Sequence, residues 1–413
     1  MTRLTSVLRS FARLSLAAVF TASALAATAS AQDIVVDSAT SYQSIDGFGG
    51  ASAWQGIIPD TLADRIWRNG PGQLGFTLER AGIWNQDDAT MQKRRNDEIA
   101  NIASAHLRGA RALGTEWKYP QMLLTAPAGA GGCWTMDPAR YADYAAFLRR
   151  SADDMRLDYV SITNEPNDGC PHFRWTGEQI RDFVSNYGAL VNRPVIIAEN
   201  SAFDDRDTDP SLNAPAAARN VAVVGGHFYG SGNRPHLNAM AHGKPVWMTE
   251  HAIKGTDIHS AIVVASEVSK AMANGFSAYL WWWMTAPGSA NPIDRLFDNA
   301  GNLQPNGAAL AQFSKFVRPH FVRVAASDDP GRMLMITAYK GNGLVIIAVN
   351  TGNANQRATF RIKHGGDAGT FFVTRTSARE SLASLPPIKE ANGRFTAPLP
   401  AQSITTFYTR QPQ

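Results

Sequence analysis

Between about residues 45 and 317, short apolar runs alternate with longer stretches whose apolar positions recur every three or four residues. The first pattern predicts buried strands and the second amphipathic helices. Eight runs fit strands: 45–50, 76–83, 117–124, 159–164, 194–198, 221–227, 245–250 and 278–283. Helical periodicity lies between most of them, over 91–113, 137–148, 176–191 and 258–274. The segments after the fifth and sixth runs are the weakest helices. Asp137-Pro138 supplies a cap and a first-turn proline. Eight strands with returning connections predict a (β/α)8 TIM barrel, an α/β fold. A doubly wound open sheet would usually carry a glycine-rich phosphate turn after its first strand, and Gly47-Phe-Gly-Gly50 is not G-x-G-x-x-G.

After Arg318-Pro319 the rhythm changes. Alternating runs at 333–339, 343–350, 356–363, 370–376 and 404–409 are separated by Gly, Asn and Pro. They predict a C-terminal β-sandwich side domain. Ile34-Val-Val-Asp37 fits a strand joining it from the N-terminal side. The expected organisation is a leader over 1–31, a joining strand over 32–44, a barrel over 45–318 and the side domain over 319–413.

The first residues read as a signal peptide. Arg3, Arg9 and Arg13 precede a mild apolar run from Leu14 to Ala27, too short to span a membrane, and Ala29-Ser30-Ala31 fits a cleavage site. The expected location is periplasmic or secreted. The leader carries three arginines and no acid, so the net charge of +4 falls to +1 without it. No dense Lys/Arg run remains, which argues against a nucleic-acid partner. A monomer with no membrane partner is expected. The two cysteines, Cys133 and Cys170, fall in loops after neighbouring strands and can pair after export; two free thiols are the alternative.

The candidate chemistry sits where two buried runs end. Asp158-Tyr-Val-Ser-Ile-Thr-Asn-Glu165 and Lys244-Pro-Val-Trp-Met-Thr-Glu250 each close on a glutamate. Burying an unpaired carboxylate is costly, so two such endings suggest function. They fall at the C-terminal ends of strands four and seven, on the catalytic face of a barrel. A pair of carboxylates there is the equipment for glycosidic cleavage, with a spacing of about 5–5.5 Å for retention. Arg80 and Tyr229 are placed to support Glu250 as nucleophile. Like charge from Glu250 would keep Glu165 protonated as the acid. Asn164 is placed for a sugar 2-hydroxyl. Trp54, Trp247 and Trp283 offer flat faces for sugar rings, with core packing as the alternative and Trp282 expected in the core. His227 belongs to the site wall. No H-x-x-x-H or H-E-x-x-H pattern is present, so no metal is expected. Glu199 reads equally well as a third functional acid or a structural ion pair.

At these residues the chain resembles glycoside hydrolase family 30, in its bacterial xylanase branch. The matching segments run in order: Asp46-Gly-Phe-Gly-Gly50, Ile162-Thr-Asn-Glu-Pro166, Gly225-Gly-His-Phe-Tyr-Gly230, Val246-Trp-Met-Thr-Glu250, Ser277-Ala-Tyr-Leu-Trp-Trp282, Phe313-Ser-Lys-Phe-Val-Arg-Pro319 and Leu399-Pro-Ala-Gln-Ser-Ile-Thr-Thr-Phe407. The resemblance implies a side domain built from both termini. It also implies retaining hydrolysis of β-1,4-xylan, Glu165 as acid/base, Glu250 as nucleophile, and no cofactor. One departure concerns the arginine and tyrosines with which many members read a glucuronyl side group. Here the stretches are Trp283-Met-Thr-Ala-Pro-Gly288 and His251-Ala-Ile-Lys254, without either residue type. A xylanase that does not require glucuronyl groups is therefore expected, with Arg295 or Lys254 as possible substitute cations. The Ala/Gly-rich loop 126–134 also departs and leaves endo or exo (xylobiose-releasing) action open. Another β-glycan substrate, or glycan binding by an inactive scaffold, are the competing readings.

Overall fold

The computed structural model describes residues 33–411, apart from 128, 130, 168, 170–172, 286–294, 299 and 366–368. The expected leader lies outside the described residues. Chain order begins β1 (Ile34–Ser44), β2 (Gly47–Ala51), α1 (Asp60–Trp67), β3 (Leu78–Trp84), α2 (Ala89–Leu107) and β4 (Arg111–Lys118). A short pair, β5 (Leu124–Thr125) with β6 (Thr135–Met136), precedes α3 (Tyr141–Met155), β7 (Tyr159–Ser161), α4 (Gly177–Tyr187) and β8 (Val195–Asn200). Then come α5 (Asp209–Leu212), α6 (Pro215–Ala218), β9 (Val221–His227), α7 (Leu237–Ala241) and β10 (Val246–His251). The barrel part closes with α8 (Ile258–Ala273), β11 (Ala278–Trp281) and α9 (Pro305–Ser314).

β2, β3, β4, β7, β8, β9, β10 and β11 close into a parallel barrel. Parallel strands are covered on both sides, which is why they read as continuous apolar runs. Inside the barrel, Leu78, Leu113, Ile196, Val223, Trp247, Ala278 and Leu280 form one buried layer. The outer faces pack on the helices in a larger cluster. The helices start where the sequence offers caps. Asp88 accepts from the Met91 N–H, and Thr176 with Gln179 and Asp257 with Ser260 form capping boxes. Gly49 lets β2 approach β3, because a Cβ there would overlap the Leu78 carbonyl.

Three boundaries differ from the sequence reading. The helix expected over 91–113 ends at Leu107, and the strand expected over 117–124 is β4 instead. Gly109 adopts φ +84°, a left-handed conformation that stops the helix. The apolar Ala112 and Leu113, which looked helical, belong to a strand buried on both faces. Asp137-Pro138 opens a 3₁₀ turn over Pro138–Arg140, and α3 proper begins at Tyr141.

The side domain continues with β12 (Val322–Ala326), β13 (Leu334–Lys340), β14 (Leu344–Asn350), β15 (Gln356–Lys363), β16 (Thr370–Ser377), β17 (Glu380–Lys389), β18 (Arg394–Leu399) and β19 (Ser403–Tyr408). β1 pairs antiparallel with β12 and parallel with β15, inside one mostly antiparallel nine-stranded sheet. The sheet folds over itself: Phe360 and Phe395 of one arm stack at 4.7 Å and meet Phe407 and Phe371 of the other. β12, β17 and β18 went unread in the sequence. β17 is an edge strand carrying Pro386 and Pro387, which suits an edge but masks the strand pattern.

Candidate active site

Arg80 lies at the centre of the site. Strand alternation on β3 places Leu78 and Arg80 inside the barrel, and Gly82 above them leaves room for the Trp84 ring. Arg80 is fully buried. Its Nη1 donates to Glu250 Oε2 at 2.6 Å and its Nη2 to Asn164 Oδ1 at 2.7 Å. Its Nε donates to Thr115 Oγ1 and to Glu199 Oε1, both at 3.2 Å. Burial opposes its charge, but Glu199 and Glu250 outweigh that and hold the guanidinium above its ordinary range.

Glu250 reaches Arg80 because β10 is irregular. Its register against β9 and β11 shifts just beyond Met248, the bulge geometry that re-aims a side chain. The second Glu250 oxygen accepts from Tyr229 Oη at 2.9 Å. Burial, then the Glu250 charge, push the Tyr229 hydroxyl well up, so it remains a proton-bearing donor. Glu165 follows β7 with φ +43°, and its N–H donates to the Glu199 carbonyl at 3.0 Å. His227 Nδ1 lies 2.9 Å from Glu165 Oε1, and Nε2 lies 3.4 Å from Arg80 Nη2. Arg80 can only donate, so Nε2 is the acceptor and Nδ1–H donates to Glu165. One oxygen each from Glu165 and Glu250 and one His227 nitrogen lie within 4.8 Å of one another.

That trio has metal-ligand spacing, but its donors are engaged. Glu250 holds Arg80 and Tyr229, and His227 serves Glu165. A guanidinium 2.6 Å from a carboxylate occupies a ligand position with positive charge, so the donor set fits proton transfer better than a cation. Glu199 is fully buried and accepts from Thr115 Oγ1 at 2.9 Å.

An aromatic wall runs beside these groups. Trp54 meets Trp84 edge-on at 4.4 Å, Trp84 stacks on Trp117 at 5.9 Å, and Trp117 meets Trp282 at 5.8 Å. The Arg80 guanidinium lies over Trp117 at 4.3 Å. Three sequence assignments change here. Trp247 is not a site residue: it is buried in the barrel's inner layer, donates to Asp46 Oδ2 at 2.8 Å and packs edge-on against Tyr159. It lies three residues below Glu250, roughly 10 Å down the strand. Trp282, expected in the core, is half-buried and faces Arg80 and Trp117, and Trp281 takes the core position. Trp283, expected to face the site, stacks behind Trp282 at 4.7 Å. β11 ends at Trp281, so strand alternation no longer governs the next two rings.

Thr115 and Trp117 were missed. They share parity with inward-facing Leu113, a signal hidden by placing the strand six residues late. Cys133 is disulfide-bonded, and Cys170 lies outside the described residues. Tyr229 is exposed at the edge of the site. Cavities of about 580 and 420 Å³ lie elsewhere, below the barrel beside Asp46 and against α1.

No family model matches the chain. It is 30% identical over 404 residues to the glucuronoxylanase XynC of Bacillus subtilis (strain 168), covering 91% of this chain and 92% of that one. Among solved structures, it is similar to the glycoside hydrolase family 30 subfamily 8 xylanase Xyn30A from Clostridium acetobutylicum (TM-score 0.82, 32% identity, 91% and 99% covered). It is also similar to a GH30 endoxylanase from Clostridium papyrosolvens C71 (TM-score 0.84, 29% identity, 92% and 100% covered). An endo-β1,6-glucanase, BT3312, shares the fold at 15% identity with a TM-score of 0.71. With barrel, side domain and nearly the whole length in common with these relatives, the chain belongs to glycoside hydrolase family 30, among its xylanase and glucuronoxylanase members.

Proposed function

We propose that this protein is an exported hydrolase that cleaves β-1,4-xylan with retention, using Glu250 as nucleophile and Glu165 as acid/base. The observation that carries this reading is the approach of the two carboxylates, with oxygens within 4.8 Å of one another. Inverting enzymes separate their carboxyl groups by about 6.5–9.5 Å to admit a water, and a nearest oxygen approach within 4.8 Å favours the shorter, retaining spacing. In the first step a Glu250 oxygen attacks the anomeric carbon while Glu165 protonates the departing glycosidic oxygen. In the second, Glu165 takes a proton from water, which attacks the same carbon and frees Glu250. Arg80 and Tyr229 hold one Glu250 oxygen each, so the carboxylate is aimed before attack and stabilised as it leaves. Asn164 is fixed by Arg80 through its Oδ1, which leaves its amide N–H groups to donate to a sugar hydroxyl. The aromatic wall supplies a face for the xylose rings.

The same reading holds that glucuronyl decoration is not required. After Glu250, His251 turns into the wall and pairs with Glu267 at 2.8 Å, and Lys254 stands exposed beyond it. Arg295 is buried against the cavity beside α1. Residues 286–288, where the family's arginine loop would fall, lie outside the described residues.

Product analysis on linear xylohexaose and on glucuronoxylan, with Glu250→Gln as control, tests this proposal. Short oligomers from both substrates, lost in the variant, are expected. Cleavage of glucuronoxylan alone would overturn the side-group argument. A single disaccharide product would indicate exo action. No cleavage of either would point to another β-glycan or to a binding protein.

A further inference from the structure

Glu199 stands beneath both catalytic carboxylates and touches neither directly. Its carboxylate meets Arg80 Nε at 3.2 Å and Nη2 at 3.4 Å, on the side of the guanidinium away from Glu250. Its carbonyl receives the Glu165 N–H at 3.0 Å. Both residues hold left-handed backbone, φ +45° for Glu199 and +43° for Glu165, a conformation that costs a non-glycine residue and is kept where neighbours enforce it. Arg80 and His227 face the Glu199 carboxylate, with Glu250 beyond Arg80 and the Tyr119 hydroxyl further off. Tyr229 faces Glu165 and Glu250 from the opposite rim. Burial pushes the Glu199 carboxyl up, but the Arg80 guanidinium and neighbouring hydroxyls outweigh it and hold it below its ordinary range, so it is ionised beside a neutral His227.

The charge count then matters. Arg80 with Glu250 alone is a neutral pair, and Glu165 would face no net field. Adding Glu199 makes the buried cluster net negative, which favours a proton on Glu165. Resting on the retaining-xylanase reading above, we propose that Glu199 is a positioning residue for the reaction. It locks Arg80 in the orientation that serves Glu250 and Asn164, and its negative charge offsets the Arg80 cation so that Glu165 keeps its proton for the leaving group.

The test is a pH profile of kcat/KM for wild type, Glu199→Gln and Glu199→Asp on two substrates. Xylohexaose needs a proton on its leaving group, whereas 2,4-dinitrophenyl β-xylobioside does not. Glu199→Gln keeps an acceptor oxygen but removes the charge. Its alkaline limb on xylohexaose should move to lower pH by on the order of one unit, as expected for a unit charge removed several ångströms away. On the dinitrophenyl substrate that limb should not move. Glu199→Asp keeps the charge but draws back from Arg80. Its limb should match wild type while kcat falls about tenfold, the loss of roughly one charge-assisted hydrogen bond. A Glu199→Gln profile superimposable on wild type for xylohexaose would reduce Glu199 to a structural ion pair. Should that variant fail to fold, wild-type kcat in Glu199→Asp would overturn the proposal by itself. Wild-type inactivity on both substrates would instead remove the xylan reading, and this inference with it.

Discussion

Arg80 has five N–H donors in a rigid plane, and the site uses that plane to connect Glu250, Asn164, Glu199 and Thr115. Lysine keeps the charge but cannot hold these directions together. Arg80→Lys should lower kcat/KM on xylohexaose about a hundredfold, the scale of one or two charge-assisted hydrogen bonds. A loss under threefold would show that charge alone suffices. The tryptophans separate by role. Trp247→Ala opens a hole in the barrel's inner layer and should cost about 3–5 kcal/mol of stability, with KM of the folded protein unchanged. Trp117→Ala should do the reverse, raising KM with a smaller fall in Tm. Thermal unfolding and steady-state kinetics on both variants check this, and a raised KM with intact Tm for Trp247→Ala would return that ring to the site. The two glutamates were legible because charge at the end of an apolar run is conspicuous. Which tryptophan faces sugar was not, because it depends on where strand β11 stops.

At the scale of elements, seven of the eight barrel strands were legible in place as apolar runs and the third was placed six residues late, while the short α5, α6 and α7 match the weak periodicity of their segments. The β10 bulge that turns Glu250 inward leaves no mark in the residue pattern. Between β3 and α2 a further feature emerges. Glu98 is buried on α2 and accepts from Ser52 Oγ at 2.6 Å, and burial pushes its carboxyl up to about 7. Glu79, on the outer face of β3, is raised by burial and by Glu98. For an acid raised on folding, the folded state binds more protons than the unfolded chain between the two values. Stability is therefore full below about pH 4.5 and falls as pH rises to about 7, by about 3 kcal/mol for Glu98. Glu98→Gln should flatten the Tm curve across that window, measured by thermal unfolding from pH 4 to 8. A slope equal to wild type would mean that Glu98 carries no such linkage.

For the whole molecule, α8 and α9 of the barrel pack on β13, β14, β16 and β19 of the side domain. The contact is specific as well as apolar. Buried Gln312 donates to Thr376 Oγ1 at 2.9 Å and accepts from Thr406 Oγ1 at 2.6 Å, and Phe316 packs on Tyr408 with ring centres 4.6 Å apart. Gln312→Leu would leave two buried threonine hydroxyls without that partner, at a cost of about 2–4 kcal/mol. Calorimetry should show a single transition at lower Tm; two separated transitions would mean that the halves fold independently. The joining strand β1 was legible as an apolar run, but its parallel pairing with β15 was not, because partners more than 300 residues apart leave no local signature. A double displacement requires the close approach of Glu165 and Glu250, and stereochemistry reports on it directly. Proton NMR of xylohexaose during hydrolysis should show the β-anomer of the new reducing end first, with the α-anomer growing in only by mutarotation. First appearance of the α-anomer would contradict a double displacement at this pair.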